Sequence, residues 1–504
     1  MKLPLLCTCL AAFAAQAVPL TNLTWSLSRF ARIEGTLLTV DVPPDKAGEG
    51  GCGRACVDLS AFSDKCFQAE IVARGENISK PRDSWNGLKF MFHYKNPETG
   101  SEQWPNTRPR LGSFPTQTIT VSDSQHGRKL GRAELTLGLQ DSSGKVVFDL
   151  STLRIDQEED LYPVTNQDYR VSYPAHVRNL PRLRGVMLPS GPCKEDDFRT
   201  LREWGATLAR YQMVRNWHAQ NSDQDVGEYM KWLDGKLDHL ERDVLPWAAK
   251  YGIRIVVDLH VPPGGRDGGE MNMFHSQTYN DAFVEAWRTI AKRLKGRPGI
   301  YGYDLINEPE QRRRALVDYW TTQKRAAEAV RAIDPDTTII IESNGWDSAD
   351  TFAYLSPLAM DNVIYQVHMY HPHEYTHQGV HRNDGGFPKF VYPNTAKGWN
   401  RDYIRKRLAP VRAFEKRHGA KIYVGEFSAI TWAEGAGQYI ADCIAVFEEY
   451  GWDWTYHAFR EWQGWSVEHE VDGVRGKFKP SADNPRRKAL LDGLARPARA
   501  KPEG

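Results

Sequence analysis

The hydrophobic positions in the first third of the chain fall in short segments where apolar and polar residues alternate. Such segments predict β-strands, and they lie at residues 36–40, 67–72, 88–94, 118–121 and 133–137. Clusters of Gly, Pro, Asn and Asp separate them, and no long amphipathic helix is predicted between them. The pattern is typical of a smaller all-β sandwich domain over residues 18–155.

The periodicity changes after a polar, proline-containing segment at residues 156–181, which we expect to be a linker. Short apolar segments now alternate with amphipathic stretches of helical period, the pattern of repeated βα units around a parallel sheet. Eight strands are predicted, at residues 183–188, 206–213, 253–260, 300–306, 338–342, 363–368, 421–426 and 452–459. The fold class is therefore α/β, with a (β/α)₈ TIM barrel over residues 182–497.

Bulk properties exclude several classes of protein. The formal net charge of 504 residues is only +1, with both signs interspersed, so no nucleic-acid partner is expected. Residues 1–17 have the apolar core and the Ala15-Gln16-Ala17 end of a signal peptide, and no later segment is apolar enough to span a membrane. We expect a secreted protein, extracellular or periplasmic, that is a monomer.

Polar side chains gather at the carboxyl ends of the predicted barrel strands, where enzymes with this fold place their active sites. These residues are Arg210, His260, Asn307, Glu308, His368, Tyr370 and Glu426. A lone buried carboxylate is costly, so a glutamate that ends an apolar strand must be paired, neutralised or used. Each glutamate taken singly favours a structural role, whereas two on strands four and seven favour function.

Glycoside hydrolysis requires two carboxyl groups on either side of the scissile bond, about 5 to 5.5 Å apart in retaining enzymes. Strands four and seven face each other across an eight-stranded barrel. The geometry therefore allows Glu308 and Glu426 to form such a pair.

Six motifs of the barrel region resemble glycoside hydrolase family 5, the cellulase family, and occur in that family's order over residues 182–470. They are Arg184-Gly185-Val186, Gly205-Ala206-Thr207-Leu208-Ala209-Arg210, Asp258-Leu259-His260, Asn307-Glu308-Pro309, His368-Met369-Tyr370 and Gly425-Glu426-Phe427. The resemblance implies a retaining β-glycosidase in which Glu308 is the general acid/base and Glu426 the nucleophile. It also implies that Tyr370 donates to Glu426 and that Arg210 keeps Glu426 ionised.

The same resemblance implies sugar-binding roles for three further residues. Asn307 would hydrogen-bond the 2-hydroxyl group, and His260 and His368 would line the reactive subsite. The chain departs from the family pattern on strand eight, where a tryptophan usually lies under the reactive sugar: here His457 is near that place and Trp462 follows. We favour Trp462 as the sugar platform, with a structural tryptophan as the alternative.

The end of the first domain, around residues 137–149, resembles the last hairpin of jelly-roll carbohydrate-binding modules. Trp85 and Trp104 lie on either side of a predicted strand and could form a platform for sugar rings, although half-buried structural tryptophans are common. The first domain is thus predicted to be a jelly roll similar to a carbohydrate-binding module.

Several alternatives stay open at this stage. His373-Glu374-Tyr375-Thr376-His377 matches the H-E-x-x-H zinc-hydrolase motif, but Pro372 and Gly379 leave little room for the helix it needs. A carbohydrate-binding protein without activity is a second alternative, which the presence of both glutamates disfavours. The expected ligand is a β-linked polysaccharide or oligosaccharide. A β-glucan such as cellulose is favoured, mannan and host-type glycans remain possible, and no metal or cofactor is implied.

Overall fold

The structure is a computed structural model. It describes residues 18–20, 22–63, 66–83, 85–95, 102–107, 110–123, 130–158, 165–216, 224–267, 269–311, 315–381 and 388–496. The predicted leader at residues 1–17 lies outside the described residues. The chain divides into two compact units, Met1–Asp160 and Leu161–Gly504.

The first unit consists of antiparallel sheets, which confirms the predicted all-β sandwich. One sheet orders its strands as Ala31–Glu34, Leu37–Val42, Gly144–Glu158, Cys66–Ile78 and Gly112–Asp123, with Val18–Pro19 paired to Gly144–Glu158. The other sheet orders them as Trp25–Leu27, Gly51–Asp58, Arg132–Gln140, Gly87–Lys95 and Glu102–Gln103. Alternate residues of Gly51–Asp58 are buried, as expected for strands with one face on a core.

The second unit contains a closed barrel of eight parallel strands, as predicted. In order around the barrel they are Arg184–Met187, Leu208–Gln212, Arg254–Asp258, Ile300–Asp304, Ile339–Glu342, Val363–Met369, Lys421–Phe427 and Asp453–Tyr456. Four of them are buried along their whole length and the other four at every residue after the first, since a barrel strand contacts the interior on one face and helices on the other. This explains why each appears in the sequence as a nearly continuous apolar segment.

Amphipathic helices connect the barrel strands. The longer ones are Glu195–Glu203, Val226–His239, Gln277–Leu294, Tyr319–Arg331, Ala409–His418 and Ala436–Tyr450, and the helix Pro485–Leu494 follows the last strand. The side chain of Ser276 caps the first turn of Gln277–Leu294, and this helix buries Phe283, Trp287 and Ile290 against the barrel. The packing fixes the position of the strands, and through them the side chains at their carboxyl ends.

The amino-terminal end of the barrel is closed by apolar side chains from strands and from the segment before them. Leu183, Leu208 and Tyr423 belong to this cluster, and Tyr173 and Leu180 pack against it. The Tyr173 hydroxyl donates to the carbonyl of Val363 at 2.7 Å. The segment that we expected to be a linker therefore packs, from residue 165 onward, on the barrel.

Within the described ranges no helix has the length and apolar character needed to cross a membrane.

Candidate active site

Glu426 lies at the carboxyl end of the seventh strand, and both of its carboxylate oxygens accept hydrogen bonds. Arg210 Nη1 donates to Oε1 at 2.6 Å, and the Tyr370 hydroxyl donates to Oε2 at 2.8 Å. The His368 Nε2 atom lies 3.8 Å from Oε1. The side chain is almost completely buried, so these contacts replace the water that a carboxylate would otherwise bind.

Arg210 is fully buried and is surrounded by carboxylates. Besides Glu426 its guanidinium lies 2.8 Å from Asp304, 3.1 Å from Glu342 and 3.3 Å from Asp258. Its Nη2 also donates to Asn307 Oδ1 at 2.9 Å. A planar group with five N–H donors can satisfy several oxygens at fixed angles, which a lysine could not do.

Charges around Glu426 determine its ionisation. Burial would raise the pKa of Glu426, but the positive charges of His368, His457 and Arg210 outweigh burial and hold the pKa well below its usual range. Burial would likewise lower the pKa of His368, yet Glu426 and Glu308 raise it to about 9. Glu426 is thus an ionised carboxylate next to a cationic imidazole at neutral pH.

Glu308 follows the fourth strand, and its side chain is 21% exposed. Its Oε1 lies 3.0 Å from His368 Nδ1. One carboxylate oxygen of Glu308, one of Glu426 and a ring nitrogen of His368 all lie within 4.8 Å of one another. This spacing fits the carboxyl separation of retaining glycosidases, about 5 to 5.5 Å, and is shorter than the about 6.5 to 9.5 Å of inverting ones.

The structure brings most of the other predicted residues to the same place. Asn307 is tied to Arg210, as described above, and His260 Nδ1 lies 2.7 Å from Asp258 Oδ2. Asp258 thereby orients the imidazole of His260 within the same network.

Trp462 stands apart from this network. It is half-buried, and its ring contacts Trp432, Trp465 and Phe478. The tryptophan whose ring contacts Tyr370, at 6.4 Å between centroids, and His457, at 5.6 Å, is Trp465.

Sequence reasoning also missed residues around Glu308. Glu342, which ends the fifth strand, accepts from the backbone N–H of Glu308 at 2.6 Å. Arg266 donates to the carbonyl oxygen of Glu308 at 2.9 Å and lies over the ring of Trp346, 4.8 Å from its centroid. Trp346 is 40% exposed, and its backbone N–H donates to the carbonyl of Pro309. A large exposed ring next to Glu308 is a surface on which a sugar could stack.

A second group of buried carboxylates lies below this site. Burial raises the pKa of Glu342 and of Asp347 well above the usual range, and the negative charges of neighbouring carboxylates raise both further. Burial also raises the pKa of Asp304 to about 6. Both shifts favour the protonated forms of Glu342 and Asp347, which reduces the negative charge around Arg210.

Some of the carboxylates and histidines of this site lie close enough together to hold a metal ion. Among the described residues, two groups place three potential ligand atoms within 4.8 Å of one another: Glu308, His368 and Glu426, and Glu342, Asp347 and His368. The histidines of the H-E-x-x-H motif belong to neither group. The rings of His373 and His377 instead stack on each other, 4.0 Å apart with 12° between their planes, at a helix of a single turn. This arrangement differs from the zinc-hydrolase geometry that the motif requires.

A closed parallel barrel with two glutamates at opposed strand ends, one held as a carboxylate, is the arrangement of a (β/α)₈ glycoside hydrolase. The family comparison agrees: the profile described as cellulase, glycosyl hydrolase family 5, matches residues 173–463, more than half of the chain. The chain belongs to glycosyl hydrolase family 5 and is an O-glycosyl hydrolase, as predicted.

Among similar proteins is endoglucanase C of Acetivibrio thermocellus, 28% identical over 298 residues that make up 52% of this chain and 83% of the relative. Another is cellodextrinase A of Ruminococcus flavefaciens, 26% identical, with 53% of this chain and 79% of the relative covered. A crystal structure of a hyperthermophilic endo-beta-1,4-glucanase aligns with a TM-score of 0.50 and 19% identity, covering 63% of this chain and 98% of the other. That structural likeness supports the fold.

Proposed function

We propose that this protein cleaves β-glycosidic bonds by double displacement, with Glu426 as nucleophile and Glu308 as general acid/base. Glu426 would attack the anomeric carbon while Glu308 protonates the leaving oxygen, and Glu308 would then activate the water that releases the sugar. The observation that carries the proposal is the pair of carboxyl groups within 4.8 Å of each other. The Arg210 and Tyr370 contacts of Glu426 support its role as the ionised partner.

The other residues would bind the sugar. Asn307, oriented by Arg210, is proposed to contact the 2-hydroxyl group, and His260 and His368 to line the reactive subsite. For the sugar platform we propose Trp462 together with Trp465, whose rings meet edge to face at 5.9 Å. Trp346 lies on the side of Glu308, where the leaving group must be protonated, and we propose that it stacks on the leaving sugar.

A β-1,4-linked glucan is the proposed substrate class, because several similar proteins are named endoglucanases or cellodextrinase. The purified chain should be assayed on a panel of β-glucans, mannans, xylans and aryl β-glycosides, with and without a strong chelator. We expect release of reducing sugar from one glucan in preference to the others, unaffected by the chelator. Activity on peptides only, or lost with the chelator, would favour the histidine-rich loop as the site instead.

We also propose that the sandwich binds the same polysaccharide. The ring of Trp104 is 53% exposed and stacks parallel to His93, with 5.1 Å between centroids and 3° between planes. Trp85 is 45% exposed, and its carbonyl accepts from Lys89 Nζ at 2.6 Å. His93 and Lys89 lie on the same face of one strand, so both contacts lie on the outer surface of the five-stranded sheet.

Binding of the full chain to insoluble glucan tests this proposal. With Glu426→Ala as an inactive background, Trp104→Ala should reduce the bound fraction, and Leu111→Ala, an equally exposed apolar residue, should not. Equal binding by both variants would contradict the proposal that the sandwich binds the polysaccharide. Secretion is proposed from the leader sequence alone, and sequencing of the exported protein should give Val18 as its first residue.

A further inference from the structure

The backbone of Glu308 has an unusual conformation that surrounding groups hold in place. Its φ angle is 50°, in the left-handed region that residues with a side chain rarely adopt. Its N–H donates to Glu342 Oε2 at 2.6 Å. On the other side, Arg266 Nη2 donates to the carbonyls of Asn307 at 2.8 Å and of Glu308 at 2.9 Å. Both peptide groups of Glu308 are thus hydrogen-bonded to side chains, Glu342 on one side and Arg266 on the other.

Glu342 joins this backbone to the partner of the nucleophile. Its Oε1 accepts from Arg210 Nη2 at 3.1 Å, while Arg210 Nη1 donates to Glu426 Oε1. The Gln366 side chain donates to the same oxygen of Glu342. Glu342 is fully buried on the fifth strand, so its position is set by the barrel and not by a mobile loop.

Arg266 holds the opposite peptide group from the loop after the third strand. Its guanidinium is itself fixed, because Nη1 donates to the carbonyl of Gly269 at 3.0 Å and its plane lies over the Trp346 ring. The side chain is half-buried, whereas that of Glu342 is fully buried. Two groups from different barrel elements therefore fix one backbone conformation.

We propose that Glu342 and Arg266 are positioning residues that direct the carboxyl group of Glu308 toward the leaving oxygen without contacting the sugar. The inference rests on the proposed acid/base role of Glu308. In a residue with fixed φ the direction of the Cα–Cβ bond is fixed too, and with it the reach of the carboxyl group. Relaxation toward negative φ would change the direction of this bond, and displacement by about 1 Å can cost about 100-fold in rate.

The test uses two substrates with the same sugar and different leaving groups. The dinitrophenolate leaving group departs without protonation. The leaving sugar of an unactivated oligosaccharide must be protonated by the general acid. Glu342→Met removes the acceptor, and kcat/KM should fall about 10- to 100-fold on the oligosaccharide and less than about 5-fold on the activated glycoside. Arg266→Met should give the same difference. Glu342→Gln keeps an acceptor oxygen for the Glu308 N–H and should recover most of the oligosaccharide activity.

Asp304→Asn is the matched control, because Asp304 is a buried carboxylate that binds Arg210 through its Oδ2 and is not one of the groups that hold the Glu308 backbone. It should slow both substrates by the same factor. Equal slowing of both substrates by Glu342→Met and Arg266→Met, or no effect of either, would overturn the proposal. If Glu342→Met does not fold, the test rests on Arg266→Met, because Arg266 is only half-buried. Glu308→Gln distinguishes failure of the positioning proposal from failure of the acid/base role. If this variant slows both substrates by the same factor, the acid/base assignment itself is wrong.

Discussion

Replacement of Arg210 by methionine tests how the barrel keeps Glu426 ionised. Arg210 carries the cation closest to Glu426, at 2.6 Å between Nη1 and Oε1. Two unit charges about 4 Å apart interact by about 4 kcal/mol at an effective dielectric constant of about 20. Since one pKa unit corresponds to about 1.4 kcal/mol, complete loss of this interaction could raise the pKa of Glu426 by about 3 units. His368 and His457 remain, so we expect a rise of about 1 to 3 units.

The sign follows from the role of the group. A nucleophile must be deprotonated, and removal of Arg210 raises the pKa of Glu426, so the acid limb of the pH profile of kcat/KM should move to higher pH. The profile should be measured with an activated aryl glycoside, which makes protonation by Glu308 unimportant. Arg210→Lys keeps the charge but not the planar donors, and its acid limb should move less.

Replacement of Arg210 by methionine should also lower the free energy of unfolding. Removal of Arg210 leaves buried carboxylates without their cation, which costs about 3 to 5 kcal/mol in free energy of unfolding. Arg288→Met is a suitable control, because the Arg288–Glu285 pair is about half exposed and contributes at most about 1 kcal/mol. A folded Arg210→Met variant whose acid limb coincides with that of the wild type would refute the reasoning.

Three further predictions follow from the same geometry. Glu308→Gln should lower kcat on unactivated oligosaccharides by about 100- to 10,000-fold while largely preserving the first step on a dinitrophenyl glycoside, measured as burst kinetics; equal loss on both would contradict its role as acid. Trp346→Ala should raise KM for substrates that occupy a leaving-group subsite and leave KM for a small aryl glycoside nearly unchanged, and an equal rise would place the ring elsewhere. The raised pKa of Asp347 means that its folded form binds a proton, so this group stabilises the fold at low pH and the stabilisation is lost as pH rises through that pKa. Asp347→Asn should therefore remove part of the loss of stability that begins as pH rises above about 4, measured by urea unfolding at about pH 4 and about pH 8, and an unchanged difference between the two pH values would contradict this.

Most of the barrel could be predicted because its strands are buried on both faces. Val363–Met369 and Lys421–Phe427 are nearly continuous apolar segments with few competing interpretations. The boundaries could not be placed to the residue, since a strand ends where its hydrogen bonds to the neighbouring strands end, and the sequence does not show those bonds. The packing of residues 165–181 was missed for a different reason: Tyr173 closes the barrel with a single ring and a single hydroxyl group, which has no periodic signature.

In the candidate site, too, some residues could be predicted from the sequence and others are seen only in the structure. Glu308 and Glu426 were found because each ends an apolar strand, and Glu342 ends the predicted strand 338–342 in the same way. The signal for Glu342 was thus present and was not used. Arg266 and Trp346 lie in loops, where neither apolar periodicity nor strand ends indicate position, so only the folded chain shows that Arg266 contacts Glu308 and lies over Trp346.

Trapping of the covalent intermediate tests the central claim most directly. A 2-deoxy-2-fluoro glycoside with a good leaving group should react with the protein, because the fluorine slows release of the sugar more than its attachment. Intact mass should increase by one sugar per chain, and peptide mapping should place the label on Glu426. Glu426→Gln should remain unlabelled. A label on another residue, or the absence of any label from a protein that hydrolyses the parent glycoside, would contradict the double-displacement account.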